Sequence, residues 1–412
     1  MDDLRVLTLR SRLLWGLALL VSNTISAAAL IWLISGRTPG IDSSLIVFLA
    51  LFLQWQALGL TLTKFGIEQV VFAAISQDQT LRFRLAGTAA RYIGPASLGF
   101  AALTWHTLGL EAGVAACLSL PLDCYAIIKG AEFNARGRYF ETTVGNLLNH
   151  PVFFAAVSAM ALTTTLSLGA MIVAFVLSSA LRAAWMHARD RETSGTTDAT
   201  TQANLWMAAQ QGMNYVMFRG DQILVAAAFY HMVGPATPID DVQMFLFMAK
   251  YPELISSVML MLGAVAFPVI HRSAPRRMEW NHFSSRTRVW SALAGAFLLV
   301  VLAGAAYAML FGKRIGAAFV IPFVLHALLV LPVNMTTYSM LRYGHLPALL
   351  RGQLHSIGIG LAAFAVVAYA FGLLYGLLVI VPLQLCAFLV LTTIRSWGPS
   401  RPAYATPDNV AR

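Results

Sequence analysis

Six ionisable side chains stand inside stretches of sequence that are otherwise apolar: Arg91, Asp123, Arg219, Asp221, Lys250 and Glu253. An ionised group at the centre of a membrane helix costs at least about 2.5–3.5 kcal/mol unless it meets a partner or water. The chemistry open to these groups is therefore ion pairing, binding of a charged ligand, or uptake and release of a proton or cation. In antiparallel hairpins Arg91 lies level with Asp123, Asp221 with Lys250, and Arg219 with Glu253. On a straight helix Arg219 and Asp221 point about 200° apart, which leaves pairing across helices, with Lys250–Glu253 at i, i+3 as the competitor. Pro252, between those two, is expected to kink its helix and free backbone carbonyls. Either a structural lock or a hydrophilic lining fits Arg91–Asp123. The amides around the other group argue for a passage. The six charges balance, three positive against three negative.

Those amides are Gln210, Gln211, Asn214 and Gln222 on the helix of Arg219, with Gln54, Gln56, Asn146, Asn149 and Asn334 elsewhere. Amides also join helices by hydrogen bonds, but their number in both halves points to a hydrated central cavity. His150, His326 and His355 are isolated, and Cys117, Cys124 and Cys386 lack metal-ligand spacing and read as packing residues. The sequence has no Gly-rich phosphate loop, serine elbow or Cys/His cluster. The longest external loop, 230–241 with His231, Asp240 and Asp241, is too small for an active site. No enzyme, cofactor or metal is expected.

The elements that must hold these groups follow from composition. Hydrophobic residues make up 58% of the 412, charged residues 11%, and mean hydropathy is +0.70. A soluble domain carries about 25% charged residues, so the surface must face lipid, and an all-α polytopic membrane protein is expected. Twelve spans of about 20 residues are read at 13–35, 43–63, 88–107, 111–130, 142–163, 165–187, 204–229, 242–269, 289–311, 316–341, 348–371 and 374–395. The second is expected to extend as helix toward Ile75. The basic, then apolar N-terminus is read as a retained first helix rather than a cleaved signal. A polar stretch from Arg189 to Thr201 reads as a linker. The division is an N-lobe at 1–187, a linker at 188–203, a C-lobe at 204–395 and a tail at 396–412, the two lobes enclosing the cavity. The net charge of +10 reflects topology rather than nucleic acid. Three of the 28 Lys and Arg lie in spans, and Arg37, Lys313 and Arg314 lie on one side. The other 22, with Arg182 counted in the loop 182–203, fall on the side of the N-terminus. Both termini are expected in the cytoplasm of a bacterial inner membrane.

Two segments carry a family likeness. Ala135-Arg136-Gly137-Arg138-Tyr139-Phe140 is a basic loop after the fourth span, and Phe218-Arg219-Gly220-Asp221-Gln222-Ile223-Leu224-Val225 opens the second lobe. With the six-plus-six organisation, they resemble the multidrug/oligosaccharidyl-lipid/polysaccharide (MOP, MATE-like) exporter superfamily, and within it the Wzx-type polysaccharide flippases. The resemblance implies alternating-access translocation of a lipid-linked saccharide in polysaccharide biosynthesis. By position, Arg91, Arg219 and Lys250, joined by Gln211 and Asn214, would bind substrate. Asp123, Asp221 and Glu253 would couple transport to H+ or Na+. The implied partners are the lipid bilayer, the lipid-linked saccharide and other polysaccharide-assembly proteins. A cation-coupled drug antiporter of the same superfamily is the alternative, followed by a membrane-embedded enzyme or scaffold.

Overall fold

In lipid the backbone has no water to bond, so long runs of Leu, Ala, Val and Phe satisfy their amides within helices. The computed structural model of the protein describes residues 14, 18, 43–64, 66–68, 71, 75, 92–163, 166–190, 201–232, 241–249, 294–295, 298, 301–302, 305, 309, 316–342 and 346–394. Among the described residues there is no strand. Ten helices are bounded there: α1 (Ser43–Thr63), α2 (Gly94–Leu108), α3 (Leu110–Ala135), α4 (Tyr139–Leu147), α5 (His150–Thr163), α6 (Leu168–Arg189), α7 (Thr201–Met232), α8 (Ala317–Arg342), α9 (Leu346–Phe371) and α10 (Leu373–Ile394). Residues 241–249 are also helical. The expected spans at 13–35, 242–269 and 289–311 fall largely outside the described residues.

The polytopic all-α reading holds. Among the described residues four helices are long and apolar enough to cross a membrane: α3, α6, α9 and Leu373–Thr392 of α10. Their outward faces are apolar, with Tyr369 96% and Phe371 71% exposed, a surface only lipid tolerates. Three boundaries differ from the sequence reading. The span at 142–163 is two helices, α4 and α5, joined at Leu148 and Asn149, with Pro151 at the start of the second. The second span stops at Thr63 and Gly66 takes φ 66°, so Ile67, Val71 and Ile75, all buried, follow a break rather than continuing α1. Arg182, counted in a loop, is a buried residue of α6.

The chain divides into two compact units, Met1–Gly212 with Val225–Met232, and Met213–Leu224 with Val233–Arg412. In the first, α2 and α3 form a hairpin turning at Gly109, and α3 packs along α6. Gly109 takes φ 96°, and Gly372, between α9 and α10, takes φ 98°. A side chain would strain both turns, so glycine permits one-residue connections. The aromatic core of this unit centres on Phe175, whose ring meets Phe52 and Phe153 edge-on at 5.2 and 5.4 Å. In the second unit α9 and α10 pack along their length and α8 packs on α10. Their core joins Met217 and Phe218 of α7 to Val330, Val333, Leu349, Ile380, Leu385 and Phe388.

Candidate functional site: a buried ionic network and an amide stripe

In the N-terminal unit, Ala112, Ala115, Ala116, Ser119 and Asp123 recur on the buried side of α3 at three- and four-residue spacing. Small residues allow a second helix to come close. Against this face α6 presents Phe175, Ser178, Ser179, Arg182 and Met186. Asp123, 5% exposed, accepts hydrogen bonds from Ser179 Oγ at 3.0 Å and Asn149 Nδ2 at 3.2 Å. Its Oδ1 stands 3.5 Å from Arg182 Nη1. Arg182 Nη2 donates to Asn146 Oδ1 at 2.7 Å, and Ser178 Oγ donates to Asn149 Oδ1 at 3.4 Å. Asn146 lies on α4 and Asn149 in the joint before α5. The split of the expected helix thus aims one amide, Asn149, at the carboxylate and the other, Asn146, at its guanidinium partner. The arrangement neutralises Asp123 with an internal cation and keeps one donor in reserve, since Arg182 Nε is buried without a hydrogen-bond partner among the described residues.

Asp123, Asn146 and Asn149, named from the sequence, come together here. The partner expected for Asp123, Arg91, lies outside the described residues. Arg182 was missed, although Ser178, Ser179 and Arg182 share one face of a long apolar helix.

At the end of α3 the charges interlock. Lys129 Nζ donates to Glu132 Oε2 at 2.9 Å and meets Asp190 Oδ2 at 2.6 Å, and Glu132 also holds Arg136 at 2.8 Å. A carboxylate at the C-cap of α6, where Asp190 stands, opposes the helix dipole, and Lys129 offsets it. Gly137, with φ 79°, closes α3 by donating to Asn134 O, while Arg138 N donates to Phe133 O at 2.8 Å, the Schellman pattern. Arg138 then binds Glu141 at 3.0 Å and Arg189 O at 3.0 Å. The segment Ala135–Phe140 is thereby a latch between α3, α4 and α6, and both of its arginines hold carboxylates of this unit.

Gln211 also belongs to this unit. It donates to Glu68 Oε1 at 3.1 Å, and Glu68 holds Lys64 at 2.5 Å.

The remaining named residues lie in the C-terminal unit. α7 is not straight: Arg219 has φ −139° and ψ 21°, so the angular argument that separates it from Asp221 on a regular helix does not apply. Arg219 Nη1 donates to Tyr215 OH at 3.4 Å, with its guanidinium 5.2 Å from that ring's centre. Asp221 is buried and its Oδ1 accepts from Gln222 N at 2.7 Å. Lys250 and Glu253, the expected cross-helix partners, lie outside the described residues. Asn214 Oδ1 accepts from Gln353 Nε2 at 3.4 Å, and Ser356 Oγ contacts Met217 Sδ at 3.6 Å. These matched steps of three residues show that α7 and α9 run parallel here. Further along, the carboxamide of Gln384 on α10 fills the space left by two glycines, Gly220 on α7 and Gly360 on α9. Gln353 and Gln384 were not singled out in the sequence, though an amide such as Gln384 within the most apolar of these four described helices is itself a signal.

No protein-family model matches the chain, and no curated protein matches it in sequence. Solved structures do match in fold. A MATE protein in complex with MaL6 is 12% identical, with a TM-score of 0.55 over 94% of this chain and 95% of that one. The MATE transporter ClbM in complex with Rb+ is 13% identical, with a TM-score of 0.53 over 95% of each chain. A MOP superfamily transporter from Pyrococcus furiosus, in which reverse polarity of the binding pocket suggests a different function, is 12% identical with a TM-score of 0.50, over 94% of this chain and 95% of that one. The chain has the fold of MATE and MOP transporters along nearly its whole length.

Proposed function

We propose that the protein is a MOP-type flippase that translocates a lipid-linked saccharide across a bacterial inner membrane by alternating access between lobes 1–187 and 204–395, with both termini cytoplasmic. The observation that carries the choice of substrate is the Arg182 guanidinium on Asp123. An exporter of cationic drugs benefits from an uncompensated buried carboxylate to attract its cargo, whereas this carboxylate already has its cation. Counting Arg182 among the intramembrane groups also removes the charge balance read from the sequence. Arg91, Arg182, Arg219 and Lys250 are four cations against the three carboxylates Asp123, Asp221 and Glu253. One net positive charge suits an anionic head group such as a saccharide-linked pyrophosphate. In this reading Arg91, Arg219 and Lys250 face the head group, Asp123 is held by Arg182, and coupling to H+ or Na+ falls to Asp221 and Glu253.

The Rb+ complex of one neighbour favours the second reading, a cation-coupled antiporter. Two assays on one proteoliposome preparation separate them. The flippase reading expects movement of a fluorescent lipid-linked saccharide that R219A abolishes while the protein remains folded, and no change in accumulation of a toxic lipophilic cation. Cation efflux with no saccharide movement would reverse the assignment.

A further inference from the structure

Where α3 and α6 end and α4 begins, four residues of the N-terminal unit form a closed ring of contacts. Arg138 Nε donates to Glu141 Oε1 at 3.0 Å, and its Nη2 donates to Arg189 O at 3.0 Å. Trp185 Nε1 donates to Glu141 O at 3.0 Å, and the Arg189 guanidinium lies over the Trp185 ring, 4.4 Å from its centre. Arg138 is stacked in the same way, 4.4 Å from the centre of the Phe133 ring. Stacking uses the face of a guanidinium and leaves the N–H donors at its edge able to bond. The ring holds two guanidinia and one carboxylate, and the Arg189 guanidinium meets no carboxylate among the described residues. Its depth follows from helix length. The 22 residues of α6 make ~33 Å of helix, against about 30 Å of hydrocarbon, so the last turns of α6 lie in the head-group layer, where Trp is favoured. Leu177, Leu181, Trp185 and Arg189 recur every fourth residue, the spacing of one helix ridge. Leu177 and Leu181 are 57% and 49% exposed, so an apolar lane open to acyl chains leads to the guanidinia.

We propose that this ring is a binding site for one anionic phospholipid of the surrounding membrane, with its phosphodiester at the edges of Arg138 and Arg189 and an acyl chain along Leu181 and Leu177. Charge selects the class. The ring carries one net positive charge, which a phosphodiester neutralises through charge-assisted bonds to the guanidinium edges. A choline head group would bring a further cation beside the two arginines. A soluble phosphate meets the same edges but gains nothing from the apolar lane. Basic pockets between membrane helices hold anionic head groups on the same grounds. The site stands apart from the Asp123–Arg182 network and does not depend on the flippase reading.

The test is thermal unfolding of the detergent-purified full chain titrated with phosphatidylglycerol, with phosphatidylcholine and inorganic phosphate as comparators, for wild type, R189A and R351A. Arg351 is an exposed arginine of α9, and R351A controls for the loss of one positive charge elsewhere. The expected result is a saturating rise in Tm with phosphatidylglycerol for wild type and R351A, an apparent affinity about tenfold weaker in R189A, and no comparable rise with phosphatidylcholine. Should R189A not fold, R189Q carries the same comparison. Equal rises with the two lipids, or equal losses of response in R189A and R351A, would mean unselective attraction and overturn the site. A phosphate response that R189A removes would assign the ring to a soluble anion and overturn the lipid. An R189A protein that melts lower but keeps the wild-type response to phosphatidylglycerol would leave Arg189 a structural role alone and also overturn the proposal.

Discussion

Arg182 Nη1 faces Asp123 Oδ1 across 3.5 Å between α6 and α3; Arg182 also donates to Asn146, and Asp123 also accepts from Asn149. Both residues are buried, so neither has bulk water as an alternative partner. Removing one leaves the other charged and unsatisfied. R182Q and D123N are each expected to lower stability by about 3–5 kcal/mol, and the double variant by clearly less than their sum. Thermal or denaturant unfolding of the four proteins in one detergent measures this. Additive losses would mean that the two groups do not act on one another.

The latch at the end of α3 makes a second, separate demand. Lys129 is the shared cation of Glu132 and Asp190. K129M should leave two neighbouring carboxylates, one still held by Arg136, and destabilise the protein by about 3 kcal/mol. K129M/D190N should recover part of that loss, which the same unfolding measurement reads. A K129M protein as stable as wild type would remove the latch as a source of stability.

Gly360 and Gln384 occupy one space. G360A should cost about 1–3 kcal/mol, as overpacking does, and Q384A in the same chain should restore most of it by vacating the site. Q384A alone opens a small void and should cost less than G360A. Melting curves of the three variants decide it: a double variant no better than G360A would contradict the close approach.

Tyr215 carries Arg219 on its ring and through its hydroxyl. Y215F keeps the ring and should leave saccharide movement within about twofold. Y215A releases the guanidinium and should slow movement about tenfold, the scale of a desolvated cation–π contact. Initial rates in proteoliposomes separate the two. Equal rates in Y215A and wild type would show that this contact does not position Arg219.

Hydrophobic spacing was sufficient to read α1, read as 43–63 and found as Ser43–Thr63, because lipid imposes a length on any apolar run. It also exposed Asp123 and Asp221, since carboxylates interrupt such runs visibly. Arg182 escaped because a basic residue near a helix end is ordinarily drawn to the interface. Only the packing of α3 against α6 shows that its head points inward. The break at Leu148 and Asn149 escaped because hydropathy averages Asn146, Asn149 and His150 away between Leu147, Leu148 and the apolar run of α5. Gln353 and Gln384 are uncharged and single, and hydropathy averages them away. Asn214 was legible as polar, but its bond to Gln353 depends on the register of α7 against α9, which composition does not encode.

The two connections made by one glycine each, at Gly109 and Gly372, bear on biosynthesis. Two helices joined by a single residue cannot be threaded into a bilayer one after the other with a loop left hanging. Each hairpin must enter as a preformed wedge. No protease, glycan or antibody tag would find a foothold at either tip, so sidedness has to be mapped from the other ends of these four helices.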